Sequence, residues 1–262
     1  MGIWETVAVL LAGVAAGTIN TVVGTGSLVS FPTLLALGVP PVVANASNTT
    51  GLVPGGLSGT FGYRRELAGQ GPRLRPLLAA SLLGGATGAC LLLILPASAF
   101  EAVVPALLLL ACVLVAVQPA LSRRLQAHTE THARSGEAEM TARAPAAFRP
   151  VTAAAGLLGI YGGYFGAGQG VLLIALLGLG TGEELQVVNA LKNAAVTAAN
   201  AAAALVFAAV ADLDWAIVVL IALGSVLGGQ VGARVGRRLP APVLRALVVA
   251  LGLLVAVRLA LP

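Results

Sequence analysis

The sequence predicts an all-α, polytopic transmembrane protein made of two homologous repeats, and three observations lead there. Of its 262 residues, 58% are hydrophobic and only 10% are charged, with a mean hydropathy of +0.96. A soluble domain carries about 25% charged residues, so too little polar surface is available to clothe a water-soluble globule of this size. Apolar runs recur along the whole chain, at 3–22, 42–63, 76–95, 102–121, 151–180, 186–211, 215–235 and 242–261. Each is near or above the roughly 20 residues that cross a hydrocarbon core about 30 Å thick. Finally, the chain matches itself when shifted by 144 positions, as from Gly24 to Gly168.

A backbone in lipid must satisfy its own hydrogen bonds, so the runs read as helices, and the alternating pattern of a β-barrel is absent. The first run lacks the basic segment that opens a signal peptide, and its flanking pattern returns in the second half, so it is expected to be retained. Gly24-Thr25-Gly26-Ser27 then interrupts residues 3–38, and the glycine-dense stretch from Gly162 to Gly170 interrupts 151–180. Glycine-dense stretches are poor helix interiors and permit turns. Each half therefore opens with a broken helical hairpin and continues with three transmembrane helices. Broken backbone at membrane depth is tolerated only where protein buries it or a cavity adjoins it. The first repeat spans 1–121 and the second 150–262. The polar stretch 122–149 between them holds Arg123, Arg124, Arg134, Arg143 and Arg149 and is expected to be a solvated cytoplasmic linker.

The repeat keeps one register from about residue 24 to about residue 106. The nine residues from Ser81 to Ala89 lie over Ser225 to Ala233 with six identities, Leu95-Pro96-Ala97 over Leu239-Pro240-Ala241, and Asn45-Ala46 over Asn189-Ala190. Scattered Ala/Leu matches arise by chance, but Asn, Pro and Gly pairs in one register do not. Weak internal symmetry of this kind marks transporters. The loop charges, by contrast, do not repeat. The first-half loop at 63–76 carries Arg64, Arg65, Arg73 and Arg75, whereas its counterpart at 210–214 carries Asp212 and Asp214 and no base. The loop at 95–101 has no base, and its counterpart follows Arg234, Arg237 and Arg238. Basic short loops stay cytoplasmic, so the repeats are expected to be inverted relative to each other.

Candidate functional residues gather around the hairpins. Lys192 is the single lysine in the chain and sits in the first turns of an apolar helix, within Asn189-Ala190-Leu191-Lys192-Asn193. An ionisable group inside a span is costly and is a functional candidate by default, although a lysine near a helix start can also snorkel to the interface. The matching point of the first half carries Asn45, Ser47 and Asn48, with capping and interhelical hydrogen bonding as the plainer roles. Backbone N–H groups at glycine turns and half-helix N-termini attract anions, which adds Gly24, Gly26, Ser27, Gly168, Gln169 and Gly170 to the candidate site. Gly55/Gly59, Gly84/Gly88 and Gly228/Gly232 are small-residue pairs suited to close helix packing. Cys90 and Cys112 lie in apolar runs and are expected to be unpaired packing residues. His128 and His132 lie in the charged linker and are expected to be solvated. No carboxylate stands at a span centre, and no cofactor or metal motif occurs.

The run from Ala16 to Leu28, followed by Phe31-Pro32-Thr33-Leu34 and by Ala44-Asn45-Ala46-Ser47-Asn48, resembles the sulfite exporter TauE/SafE family. So does the second copy, from Gly162 to Gly170, then Val188 to Asn193, then Asp212-Leu213-Asp214-Trp215. Leu191-Lys192-Asn193 keeps the lysine of the family's second-copy pattern but not its hydroxyls. The resemblance implies outward transport of small sulfur-containing anions, such as sulfite, sulfoacetate or related organosulfonates, from a bacterial cytoplasm across the inner membrane. It agrees with the anion site read from the residues. Two other classes remain open at this stage: a cation-coupled transporter of another small anion or metabolite, and a membrane-embedded enzyme, the latter weakened by the lack of a nucleophile–base pair. The expected partners are the bilayer and a small anion, with no nucleic acid; a homo-oligomer is an allowed assembly.

Single-cysteine tags placed in the 63–76 and 210–214 loops are expected to react with a membrane-impermeant thiol reagent from opposite faces of sealed vesicles. Labelling of both loops from one face would sink the inverted arrangement.

Overall fold

The computed structural model describes residues 2–135 and 148–235, together with 249, 250 and 253. Nine helices occur among the described residues, with no strand: α1 (Ile3–Val22), α2 (Ser27–Ala36), α3 (Pro41–Gly62), α4 (Gly71–Ile94), α5 (Ala97–Ser135), α6 (Arg149–Tyr164), α7 (Gln169–Thr181), α8 (Leu185–Val210) and α9 (Trp215–Val235). The fold is the expected all-α polytopic one. α1/α2 and α6/α7 are the two broken hairpins, and three helices follow the first hairpin. Two follow the second; the apolar run 242–261, with Leu239-Pro240-Ala241, Arg237 and Arg238, lies outside the described residues apart from isolated positions.

Among the described residues five helices are long and apolar enough to cross a membrane: α1, α4, α5 over Ala97–Leu121, α8, and α9 over Trp215–Arg234. α3 has the length, at 22 residues, but carries Asn45, Ser47, Asn48, Thr49 and Thr50 in its first half. That polarity is turned inward, since the first four of these residues are buried. Large apolar side chains such as Leu83, Leu109, Val113, Leu205, Leu223 and Leu227 are exposed instead. This inside-out distribution suits a surface solvated by acyl chains.

The expected linker differs in one respect. α5 does not stop at residue 121 but runs to Ser135 through Pro119, so the first half of 122–149 continues a helix rather than forming a loop. The backbone at His128 and His132 belongs to that helix, and residues 136–147 lie outside the described ones. Both cysteines are free; Cys112 is buried as expected, but Cys90 is exposed on α4.

The repeat register is written in the backbone. Gly24 (φ 87°) and Gly168 (φ 83°) both take left-handed conformations, as do Gly38 (φ 82°) and Gly182 (φ 63°). Each pair is separated by the 144 residues of the sequence repeat. The first pair bends each hairpin and the second ends its short returning helix. Only glycine enters this region without a steric penalty.

The largest interfaces exchange partners between repeats. α1 packs along α9, with Gly13 against Ile221 and Gly17 against Ser225, so these helices run parallel. α6 packs along α4 in the same sense, with Gly156 near Ala80 and Gly88 against Ile160 and Tyr164. Because α6 corresponds to α1 and α4 to α9, this is one interface made twice. α3 and α8, also equivalent, meet antiparallel: Thr60 faces Thr197 at 3.4 Å while Tyr63 accepts from Asn189 at 3.0 Å. The small-residue pairs do what their spacing suggested. Gly84 and Gly88 lie against the backbone of α6, and Gly228 and Gly232 against that of α1. Lipid gives no hydrophobic push between helices, so close backbone approach and dispersion must hold them together.

Gly85 meets the backbone of Ala199, with a Cβ placed 2.7 Å from its Cα, whereas a Cβ at Gly71 would meet nothing within 4 Å. Overpacking a tight interface costs about 1–3 kcal/mol or more. Gly85→Leu should therefore lower the thermal midpoint in detergent by several degrees, while Gly71→Ala leaves it nearly unchanged.

Candidate functional site

The site begins with an unfinished helix. At the end of α1, Val23 N–H and Gly24 N–H both donate to Ile19 O, at 2.7 and 3.1 Å, and the chain turns away at Gly24. The carbonyls of Asn20 and Thr21 are thereby left beyond the last helical bond, deep in the protein. A helix end in such a place needs other partners, and α8 of the opposite repeat supplies them. Lys192 Nζ donates to Asn20 O at 3.2 Å and to Thr21 O at 3.3 Å. Asn193 Nδ2 donates to Thr21 O at 3.2 Å. Asn189 Nδ2 lies 3.5 Å from Thr21 O and 3.0 Å from the Tyr63 hydroxyl. The C-terminal end of a helix carries partial negative charge, which favours a cation there.

Lys192 is 0% exposed and does not snorkel. It is the one charged side chain buried among the described residues, and it pairs with no carboxylate there. An ammonium has three donors, and two of them go to these carbonyls. A buried charge without a counterion is costly, and the described residues place no carboxylate beside Lys192.

The second hairpin repeats the device with different chemistry. Phe165 N–H and Gly166 N–H both donate to Tyr161 O, at 2.9 and 3.0 Å, and the open end of α6 is met from α3, where Asn45 Nδ2 donates to Tyr164 O at 2.9 Å. Asn48, the register mate of Lys192, is 1% exposed, and neither carboxamide atom has a partner. Gln169, 0% exposed and opening α7, is likewise unpaired at both atoms. Its side chain folds over Gly162, where an added Cβ would come 2.5 Å from Gln169 Cδ.

The two tips touch. Gly170 N–H donates to Gly24 O at 3.1 Å, and a Cβ at Gly24 would sit 2.6 Å from Gly170 Cα and 3.2 Å from Lys192 Cδ. Gly24, Gly170, Lys192 and, by chain adjacency, Gln169 and Thr25 therefore converge at one crossing. Phe31 on α2 and Phe165 at the end of α6 join the same two hairpins through an edge-to-face contact at 5.5 Å.

Other candidates are placed elsewhere or are already engaged. Ser47 accepts from Asp214 N–H at 3.0 Å, tying α3 to the α8–α9 turn. Gly26 packs inside its own hairpin against Ala16 and Asn20, Ser27 is half-buried at the start of α2, and Gly168 faces Ala111 and Leu114 of α5. The backbone N–H groups of Gln169 and Gly170 are spent on Gly166 O and Gly24 O, so side chains rather than tip amides offer the free donors in that half. Thr25, buried and unpaired, was not singled out from the sequence, although it is the register mate of Gln169. The ion pair between Arg73 and Glu183, which joins the start of α4 to the turn before α8, was also missed.

A polytopic helical bundle whose broken hairpins meet around a buried lysine, with no carboxylate beside it among the described residues, is a membrane transporter in design. The profile of the family described as sulfite exporter TauE/SafE matches residues 9–259, and the chain belongs to that family. It is 26% identical to a probable membrane transporter protein, ORF9, of Sinorhizobium sp. over 95% of this chain and 90% of that protein. It is 24% identical to a probable membrane transporter protein of Haemophilus influenzae over 85% of this chain and 81% of that one. No solved structure shows a significant match.

Replacing Asn45 by Leu leaves Tyr164 O buried without its donor, an omission worth about 1–3 kcal/mol. Equilibrium unfolding in mild detergent should show a loss of that order for Asn45→Leu; an unchanged midpoint would mean that the carbonyl finds another partner.

Proposed function

We propose that the protein exports small sulfur-containing anions, such as sulfite, sulfoacetate or related organosulfonates, across the inner cell membrane by alternating access between two inverted repeats. The observation that carries this reading is Lys192: fully buried, unpaired with any carboxylate among the described residues, and set where both hairpin tips cross. Sulfite as the substrate and export as the direction follow the sulfite exporters for which the family is described, and sulfoacetate and related organosulfonates extend that choice to anions of like chemistry. Inversion is supported by the antiparallel meeting of the equivalent helices α3 and α8 and by the arginines of the 63–76 loop, which favour a cytoplasmic location for that loop and for 122–149. In this scheme the substrate occupies the crossing, bound through Lys192 and the neighbouring carboxamides, and rocking of one repeat against the other changes the side from which it is reached.

Proteoliposomes loaded with sulfite test the proposal. Wild-type protein should release sulfite down its gradient, and Lys192→Ala should reduce that flux to the level of empty liposomes. Undiminished flux through a folded Lys192→Ala variant would reject the role given to the lysine.

A further inference from the structure

Unpaired buried polar atoms are concentrated where the hairpins end. They are Thr25 Oγ1, both carboxamide atoms of Asn48, both of Gln169, and Asn189 Oδ1; elsewhere among the described residues only the hydroxyls of Ser30 and Ser81 share this state. Thr25, Asn48 and Gln169 are each no more than 1% exposed. Groups held this way lose their hydration without compensation, and at a site such a deficit points to a ligand. Asn48 attends the α6–α7 hairpin as Lys192 attends the α1–α2 hairpin, because Asn45 and Asn189, one turn earlier, bond to the ends of α6 and α1 respectively. Gln169 adjoins Gly170, which touches Gly24 beside the Lys192 stem.

This set of atoms is not a plain anion hole. A carboxamide carries an NH₂ donor and a carbonyl acceptor, so whichever way each is turned, Asn48 and Gln169 bring two acceptors with their donors. A fully deprotonated oxyanion offers acceptors only and would set its negative oxygens against those carbonyls. An oxyanion that keeps one O–H offers both kinds of partner. Lys192 supplies one positive charge, and no second charged side chain is buried among the described residues. We infer that the site selects the singly charged, monoprotonated form of an oxyanion, with Lys192 holding the charged oxygens and Asn48 and Gln169 reading the hydroxyl end. The inference rests on the anion-site reading above and narrows it to a protonation state, which sets hydrogen sulfite ahead of sulfoacetate and the other sulfonates named there.

The discriminating proton belongs to the ligand. Titratable or charged groups on the elements packed here include Lys192 on α8, with Glu183 and Glu184 before that helix and Asp212 and Asp214 after it, Glu5 on α1, Tyr63 at the end of α3, Cys112 on α5, and Arg149, Tyr161 and Tyr164 on α6. Ionisation of any of these acts on every anion in the same direction, so a ligand without a titratable O–H serves as the control.

Binding of sulfite and of methanesulfonate to the purified full chain should be measured across the pH range in which hydrogen sulfite becomes sulfite. Above that transition the dissociation constant for total sulfite should rise about tenfold per pH unit relative to methanesulfonate. Asn48→Leu removes two unpaired buried atoms at similar volume; it should remain folded and bind sulfite no better than methanesulfonate. Parallel pH profiles for the two ligands, or sulfite binding that tightens as its proton is lost, would overturn the inference while leaving the anion site standing. Binding of neither ligand at any pH would remove the anion reading itself, and this inference with it.

Discussion

A helix that ends inside a membrane leaves carbonyls that no solvent can reach, and this constraint organises the rest of the molecule. α1 and α6 both stop at glycine bends, and the carbonyls at their ends are met by side chains from the other repeat: Lys192, Asn193 and Asn189 in one case, Asn45 in the other. Neither hairpin can therefore be completed by its own half. The repeats must interlock before the backbone is satisfied, which accounts for the polar residues early in α3 and α8 and for the contact of the two tips. It also couples the folding requirement to the candidate site, since the groups that finish α1 include Lys192 at the crossing of the two tips.

The glycines serve the same interlocking. α1 lies against α9, and α6 against α4, close enough that side chains at Gly17, Gly84, Gly88 and Gly228 would enter the neighbouring backbone. These contacts are made without a hydrophobic push from solvent, so their strength lies in closeness. Exchanging equivalent helices between halves yields the same interface twice, a condition that two copies of one sequence can meet when they pair face to face.

Much of this was legible in the sequence. Low charge and repeated apolar runs set the fold class, and the dense glycines at 24–26 and 162–170 located both bends. The 144-residue register paired Asn45 with Asn189 and placed Lys192 opposite Asn48. What could not be read was which groups satisfy which. Lys192 and Asn20 are 172 residues apart, and Arg73 and Glu183 are separated by 110; only the folded chain sets them side by side. Ser47 looked like a site residue because of its neighbours in sequence, yet it bonds to the α8–α9 turn. The continuation of α5 to Ser135 was hidden by the polar composition of 122–135, which resembles a loop when hydropathy alone is followed. Thr25 was passed over because its meaning lay in its register mate, Gln169.

The single lysine has a practical side. With one ε-amine in 262 residues, fully enclosed at the crossing of the two hairpins, the chain carries its own spectroscopic address: an amine-directed probe can mark a side chain only by reaching that crossing. The rate at which Lys192 becomes modified thus reports how readily a reagent gains access to that crossing, and it requires no engineered residue.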